Sequence, residues 1–259
     1  MGFKELAKLI NQANKQRTPE QEFLYVLNEG IGRLGAEGSL NHPTSRSFKP
    51  SSIGGCLRIP FFQITGAKED ETASEDPGLQ GIMQSGTDRH ERIQTAISEL
   101  ARLGYDCEWV DVGEFVTNQN RVKGTRVISK NGMETKLMND DLNMRFMCDG
   151  VIKFMGKYYI IEIKTETSFK WQGRTSPNPD HIKQATCYSI CLGVDQVFFI
   201  YENRDVCGKK VFQVDVTQEM KNGLFHVLET VNSHIENGTI PPKSDDCRYC
   251  DYKQLCKTC

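Results

Sequence analysis

The sequence predicts an α/β fold with a mixed central β-sheet flanked by helices. Three observations carry that expectation. Residues 145–164 read as two apolar strands joined by a tight turn, and Gln196 to Tyr201 reads as a further buried-type strand. Amphipathic helical patterns run from about Leu79 to Leu103 and from Thr217 to Ile235. A helix-opening segment at Pro179 separates the hairpin from the later strand, and strands alternating with helices pack as a sheet between helical layers.

Each element has a local cause. Thr18-Pro19-Glu20-Gln21 has the form of a capping box with proline at the first helical position, and the helix it opens carries Phe23, Leu27, Ile31 and Leu34. Gly35 to Pro50 is rich in glycine, serine and proline and reads as loop. Ala67 to Gly78 is acidic, lacks a helical stripe, and reads as a second loop. The long helix that follows carries His90 in line with Ile93, Ile97 and Leu100. Strands are expected from about Tyr105, and Asn131-Gly132 marks a hairpin. Pro179 stands in the first turn of a helix. Met220, Leu224, Val227, Leu228, Val231 and Ile235 form the apolar face of the helix from Thr217.

At 259 residues, 38% hydrophobic and 25% charged, the chain suits one large domain or one domain with appendages. Residues 1–50 are expected to form a helical appendage, and 51–259 the main domain, with a cysteine-rich segment at 245–259. No apolar run approaches the roughly 20 residues of a membrane helix. No charged segment followed by an apolar run opens the chain, so a cytoplasmic, reducing location is expected. The net charge of −2 excludes a general polycation. Nucleic-acid binding would come from local basic groups and from metal ions offsetting an acidic site.

The strand pair holds the first chemical constellation. Arg145-Phe146-Met147-Cys148-Asp149-Gly150 puts an aspartate on one strand, and Tyr158-Tyr159-Ile160-Ile161-Glu162-Ile163-Lys164 puts a Glu-x-Lys on the other. A turn centred on Met155-Gly156 sets Asp149 directly opposite Glu162, where paired Cβ atoms lie about 4.5–5.5 Å apart. Carboxylates that close repel unless a cation lies between them, and a hard divalent ion with oxygen ligands meets that need. Lys164 projects from the same face as Glu162. Ile160, Ile161 and Ile163 make the surroundings apolar, where unpaired charge is expensive. The plainer alternative is a surface hairpin with an incidental Glu–Lys ladder.

Asp followed by Glu-x-Lys resembles the PD-(D/E)XK nuclease superfamily. Cys148 stands in place of the family's proline, which is not a metal ligand there. Two further matches resemble the RecB-like branch. Gln184 and Tyr188, at i and i+4 on one helix face with His181, resemble its Gln-xxx-Tyr motif. Gly86-Thr87-Asp88-Arg89-His90 resembles its Gly-xxx-His motif. A histidine on an apolar stripe is ordinarily a core residue; in the family's order of motifs, His90 is expected to be a metal ligand. The resemblance implies a restriction-endonuclease-like core. It implies that Asp149, Glu162 and Lys164 are catalytic. It also implies that His90, Asp149, Glu162 and the backbone carbonyl of Ile163 hold Mg²⁺ or Mn²⁺, and that Gln184, Tyr188 and His181 position DNA. The likeness spans Cys56 to Cys256 and leaves out the first fifty or so residues.

The cysteines supply the second constellation. Of the chain's 10, four close it as Cys247-x2-Cys250-x5-Cys256-x2-Cys259, which is metal-ligand spacing. A self-contained Cys₄ zinc knuckle is one reading. The other joins three of them to Cys56, in Ser51-Ser52-Ile53-Gly54-Gly55-Cys56, around an iron–sulfur cluster. That arrangement resembles RecB-like nucleases bearing a [4Fe–4S] cluster, among them the CRISPR-associated fourth Cas protein and the AddB nuclease domain. The resemblance implies Cys56, Cys247, Cys250 and Cys256 as ligands, with Cys259 extra. Cys107, Cys148, Cys187, Cys191 and Cys207 fall on apolar or strand-like stretches and read as small core residues.

The resemblance therefore implies a Mg²⁺- or Mn²⁺-dependent DNA exonuclease acting on single-stranded ends, 5′ to 3′. The context it implies is recombination, repair or CRISPR spacer processing, with a recombination, helicase or CRISPR protein as partner. The alternatives are a cluster-bearing module that grips DNA or a partner without cutting, and a zinc-knuckle adaptor.

Overall fold

The computed structural model describes residues 18–40, 46–70, 76–119, 124–244 and 250–258. In chain order its elements are α1 (Pro19–Leu40), α2 (Pro50–Ile53), α3 (Arg58–Thr65), α4 (Pro77–Ser98), β1 (Cys107–Val110), α5 (Val112–Gln119), β2 (Thr125–Asn131), β3 (Glu134–Asn139), β4 (Met144–Phe146), β5 (Gly150–Phe154), β6 (Lys157–Glu166), α6 (Ser168–Gln172), α7 (Pro179–Leu192), β7 (Gln196–Asn203), β8 (Lys209–Asp215), α8 (Gln218–Glu236) and α9 (Leu255–Thr258). Two compact units are present: Met1–Pro43 with Glu71–Gln84, and Thr44–Asp70 with Ser85–Cys259.

In the first unit, α1 opens on the expected capping box. Gln21 Oε1 accepts from Thr18 N at 3.1 Å, and Thr18 Oγ1 accepts from Gln21 N at 3.4 Å. The helix then continues to Leu40, through the stretch where Gly35 was expected to begin a loop. Part of the expected loop at 67–78 lies outside the described residues, and its last two residues already belong to α4.

The second unit is built on a five-stranded mixed sheet in the order β1-β5-β6-β7-β8. Within this sheet, among the described residues, β6 and β7 pair in parallel and the other neighbours antiparallel. A parallel pair needs a crossover, and α6 with α7 supplies it. A smaller antiparallel sheet has the order β2-β3-β4. Side chains alternate across β6 and so serve two layers. Ile161 and Ile163 pack with Ile93 of α4, with Ile97 and Leu100 beside them. Ile160 joins the larger core with Tyr188 and Leu192 of α7, Leu228 and Val231 of α8, and Leu137 and Met144 of the smaller sheet.

The β5–β6 hairpin turns on Met155 and Gly156, with φ of 48° and 76°. Positive φ at both central residues marks a two-residue hairpin turn whose twist matches the strands. The register runs from Phe154 opposite Lys157 to Gly150 opposite Ile161. The strand expected to pass unbroken through 145–150 is in fact interrupted. β4 ends at Phe146 in the smaller sheet, and β5 begins at Gly150 in the larger one. Asp149 therefore sits at the break between sheets, one position past the last ladder pair.

Two other expectations change. Strands from Tyr105 give way after β1 to α5, which Asp111 caps by accepting from Glu114 N at 3.0 Å. Cys107, Cys148, Cys187 and Cys191 are buried, but Cys207 is exposed in the β7–β8 turn at a φ of 57°.

Gly150 has no room for a side chain, since a β-carbon there would lie 2.3 Å from the Trp109 ring. Gly150→Ala is expected to destabilise the domain by about 1–3 kcal/mol through overpacking. A thermal melt checks this. Combining it with Trp109→Leu should recover part of the loss, and an unchanged Tm for Gly150→Ala would refute the packing argument.

Candidate active site

β6 and β7 bury three glutamates, and their surroundings differ in one decisive respect. Glu202, fully buried, accepts from Arg89 at 2.9 Å and from Arg92 at 2.7 Å, and pairs with Lys209 at 3.1 Å. Burial alone would raise its pKa, but Arg92, Lys209 and Arg89 hold it below the usual carboxylate value. Glu166 receives the fork of Arg174, Nε at 2.9 Å and Nη2 at 2.5 Å. Glu162 is 2% exposed and has one cation in contact, Lys164 Nζ at 2.5 Å. Burial, and then the charge of Asp149, push its pKa up to about 7 in spite of Lys164. Of the three, Glu162 is the carboxylate left short of positive charge.

Around it runs an unbroken line of contacts. His90 Nδ1 lies 3.2 Å from Asp149 Oδ1. Asp149 Oδ2 accepts from the Ile163 backbone N–H at 2.6 Å. Beside Ile163, Glu162 holds Lys164, whose ammonium also donates to Gln184 Oε1 at 3.1 Å. Gln184 Nε2 in turn donates to the Tyr188 hydroxyl at 2.7 Å. Burial would lower the pKa of His90, but hydrogen bonding to Asp149 and the charges of Asp149 and Glu162 raise it. Burial drives the Tyr188 hydroxyl well above its ordinary pKa, so it stays protonated.

His181 stands apart from this line. It lies 2.8 Å from the Tyr201 hydroxyl and stacks on that ring, and burial lowers its pKa to about 4, so it is neutral at neutral pH. Gln94 is a site residue the motifs do not flag. It lies one turn beyond His90 on α4, and its Nε2 donates to the Asp149 backbone carbonyl at 2.6 Å. The i, i+4 spacing from His90 was the available signal.

The donor set fits a divalent cation: two carboxylates and an imidazole, one carboxylate buried and under-compensated. Among the described residues, no three His, Cys, Asp or Glu side chains already converge as a metal cage.

At the tail, Cys250 is half-buried, Cys256 is buried, and Cys56 is half-buried. Cys247 and Cys259 lie outside the described residues. Arg58, two residues past Cys56, donates Nη1 to Cys256 Sγ at 3.1 Å and Nε to the Pro241 carbonyl at 2.8 Å. Asp70 N donates to the Asp251 carbonyl at 2.6 Å, Gln254 N donates to Asp70 Oδ2 at 2.8 Å, and Tyr252 packs on Phe62 at 5.3 Å between ring centroids. The Arg58 guanidinium beside the Cys256 sulfur puts positive charge where a thiolate ligand to a metal would carry its negative charge.

Comparison with known proteins adds a second line. No family model matches the chain. The chain is 24% identical over 165 residues to the CRISPR-associated exonuclease Cas4 of Francisella tularensis subsp. novicida (strain U112), a match covering 57% of this chain and 78% of that protein. The chain resembles the RecB-like branch of the PD-(D/E)XK nucleases. Its fold is shared with the crystal structure of SSO0001, at a TM-score of 0.50 and 16% identity, covering 91% of this chain and 98% of that one. The alkaline exonuclease LHK-Exo from Laribacter hongkongensis gives a TM-score of 0.45 at 15% identity, covering 75% of this chain and 90% of that one.

Glu162 yields a stability prediction. Its folded pKa, near 7, lies above the ordinary value of 4.5. Folding therefore favours its protonated form, and its contribution is present at low pH and lost as the pH rises through about 7. In EDTA, Glu162→Gln should raise Tm above that pH and change it little near the ordinary carboxylate pKa. Melting curves across pH check this, and an equal shift at both ends would remove the charge argument.

Proposed function

We propose that this chain is a divalent-metal-dependent deoxyribonuclease, an exonuclease acting at single-stranded DNA ends with 5′ to 3′ polarity. The observation that carries the proposal is Glu162, a buried carboxylate beside Asp149 that one lysine does not neutralise. The likeness to a CRISPR-associated exonuclease supports the same reading. Asp149, Glu162 and the carbonyl of Ile163 would hold Mg²⁺ or Mn²⁺, with His90 as a further ligand that favours Mn²⁺. When bound there, such an ion would supply polarisation of the scissile phosphate and acidification of a water molecule.

The chain's own residues do the rest. Lys164 holds an ammonium at the edge of the carboxylate pair, where it orients the attacking water and offsets charge gathering on the phosphate. Gln184 accepts from Lys164 and donates to Tyr188, so it fixes the lysine's direction. Tyr188 and Gln184, with His181 in the first turn of α7, would steer the DNA strand. Gln94 holds the main chain of Asp149 and so sets its carboxylate.

Asp149→Ala, Glu162→Ala and Lys164→Ala should each lower cleavage of end-labelled single-stranded DNA about 10²–10³-fold, the scale of losing a transition-state contact. Lys164→Ala should still bind Mn²⁺ and DNA. His90→Ala should raise the Mn²⁺ needed for half-maximal rate while leaving Tm close to wild type; a lower Tm with an unchanged Mn²⁺ requirement would return His90 to a packing role. Wild-type cleavage by Glu162→Ala would refute the whole site.

We further propose that Cys56, Cys247, Cys250 and Cys256 hold a [4Fe–4S] cluster, within a domain spanning 51–259 that follows an appendage at 1–50. The hydrogen bonds that bind the tail to Arg58 and Asp70 support a shared site for the two segments. Protein purified without oxygen should be brown, with iron and acid-labile sulfide near four each per chain. Cys56→Ala should bleach it and lower Tm, and Cys259→Ala should do neither. Colourless protein holding one zinc, sensitive to Cys259→Ala but not to Cys56→Ala, would replace the cluster by a zinc knuckle.

A further inference from the structure

Next to Lys164 the site opens into a cleft of about 950 Å³ whose far wall none of the motif residues explains. The charged side chains lining it are Lys164, Glu166, Lys170, Arg174 and Arg204, four cations against one carboxylate, in a chain of net charge −2. Arg174 is spent on Glu166, and Lys164 on Glu162. Among the described residues, Lys170 and Arg204 make no ion pair. Two cations without a close ion pair, Arg204 facing Asp205 only at longer range, favour a polyanionic ligand beside a nuclease-like site.

The same cleft holds Phe169, which at 89% exposure is the most exposed large hydrophobic side chain among the described residues. A single exposed phenylalanine is unremarkable by itself. What sets this one apart is the rigidity of its support. Ser168 Oγ donates to Asp205 Oδ2 at 2.6 Å, and Ser168 N to the same oxygen at 2.9 Å. Trp171 Nε1 donates to the Tyr201 carbonyl at 2.9 Å. Lys210 lies 4.5 Å from the Trp171 ring centroid and donates to the carbonyls of Trp171 and Arg174, each at 2.9 Å. α6 is thus fastened to β7 and β8 on both sides of Phe169 while the ring itself faces solvent. An aromatic ring held open on a fixed support, with free cations beside it, is the arrangement that takes an unpaired base with its phosphates.

We propose that this cleft is a single-strand nucleotide subsite, in which Phe169 stacks on an unpaired base while Lys170 and Arg204 hold the phosphates on either side. Delivery of that strand to Lys164 rests on the nuclease reading above; the binding itself does not. A ring that needs an exposed base face discriminates against duplex, so the subsite also favours single strands over paired ones.

The test is binding of a short fluorescein-labelled oligothymidylate to the full chain in EDTA, followed by anisotropy. Phe169→Ala should weaken binding by about 5- to 100-fold, the worth of one stacked base, and Phe169→Trp should restore it. The double variant Lys170→Ala, Arg204→Ala should reduce the slope of log K against log salt by about 1.4, for two single-strand phosphates. A hairpin duplex should lose less than the single strand on Phe169→Ala. All three side chains avoid the core, so Tm should stay close to wild type. Wild-type affinity in Phe169→Ala, or no oligothymidylate binding by the unaltered chain, overturns the subsite. Phe169-dependent binding without Mn²⁺-dependent cleavage would sink the nuclease reading and leave the subsite standing. Cleavage with Phe169-independent binding would do the reverse.

Discussion

Glu162 sets the terms for the structure around it. Removing a carboxylate from water costs several kcal/mol even after the protein relaxes, and Asp149 adds repulsion instead of relief. Glu202, one strand over and just as buried, shows what full compensation takes: three cations in contact. Glu162 has Lys164 and, at longer range, His90. Its neighbours are arranged to hold this imbalance in place. Asp149 is held from three directions, by the Ile163 amide, the His90 ring and the Gln94 amide.

α4 carries both halves of that arrangement. Arg89 and Arg92 anchor it to Glu202, while His90 and Gln94 reach Asp149, and Ile93 packs on the sheet between them. The ion cluster at Glu202 therefore fixes the rotation and height of the helix that presents His90. A buried carboxylate with enough cations positions the helix; the one without enough stands at the centre of the candidate site. The tail plays a comparable part at the other end of the unit, where Arg58 spans 198 residues of sequence to reach Cys256.

The hairpin was legible because its cause is local. Met155-Gly156 specifies a two-residue turn, and strand alternation then decides which side chains face each other. Spacing paired Glu162 with Lys164 on one strand face and Gln184 with Tyr188 on one helix face, but only the resemblance to the RecB-like motifs joined the two pairs, which meet through the Lys164–Gln184 hydrogen bond. The break at Asp149 was not legible. Met147 and Cys148 suit a strand as well as a linker, and what ends β4 is its pairing with β3 and with Phe48, far away in the chain. α5 was hidden by its short length, although Asp111 followed by Glu114 is a capping signal. Gln94 was missed because a glutamine that binds a backbone carbonyl leaves no motif. The support beneath Phe169 depends on Lys210 and Asp205, from another strand and turn, and nothing near α6 in sequence announces it.

The two kinds of strand pairing that meet at β6 differ in how soon they can form. β5 and β6 are joined by two residues, and hairpins of that kind assemble in about 1–10 μs. β6 and β7 pair only after the chain has passed through α6 and α7, and such non-local parallel contacts come slowly. The two carboxylates can thus meet on a hairpin before the helix that supplies Gln184 and Tyr188, or the one that supplies His90, has docked. In that interval the hairpin is still open to water, where two adjacent negative charges cost little. On that order Glu162 enters the dry interior already paired with Lys164 of its own strand, and the docking helices add Gln184 against the lysine and His90 against Asp149.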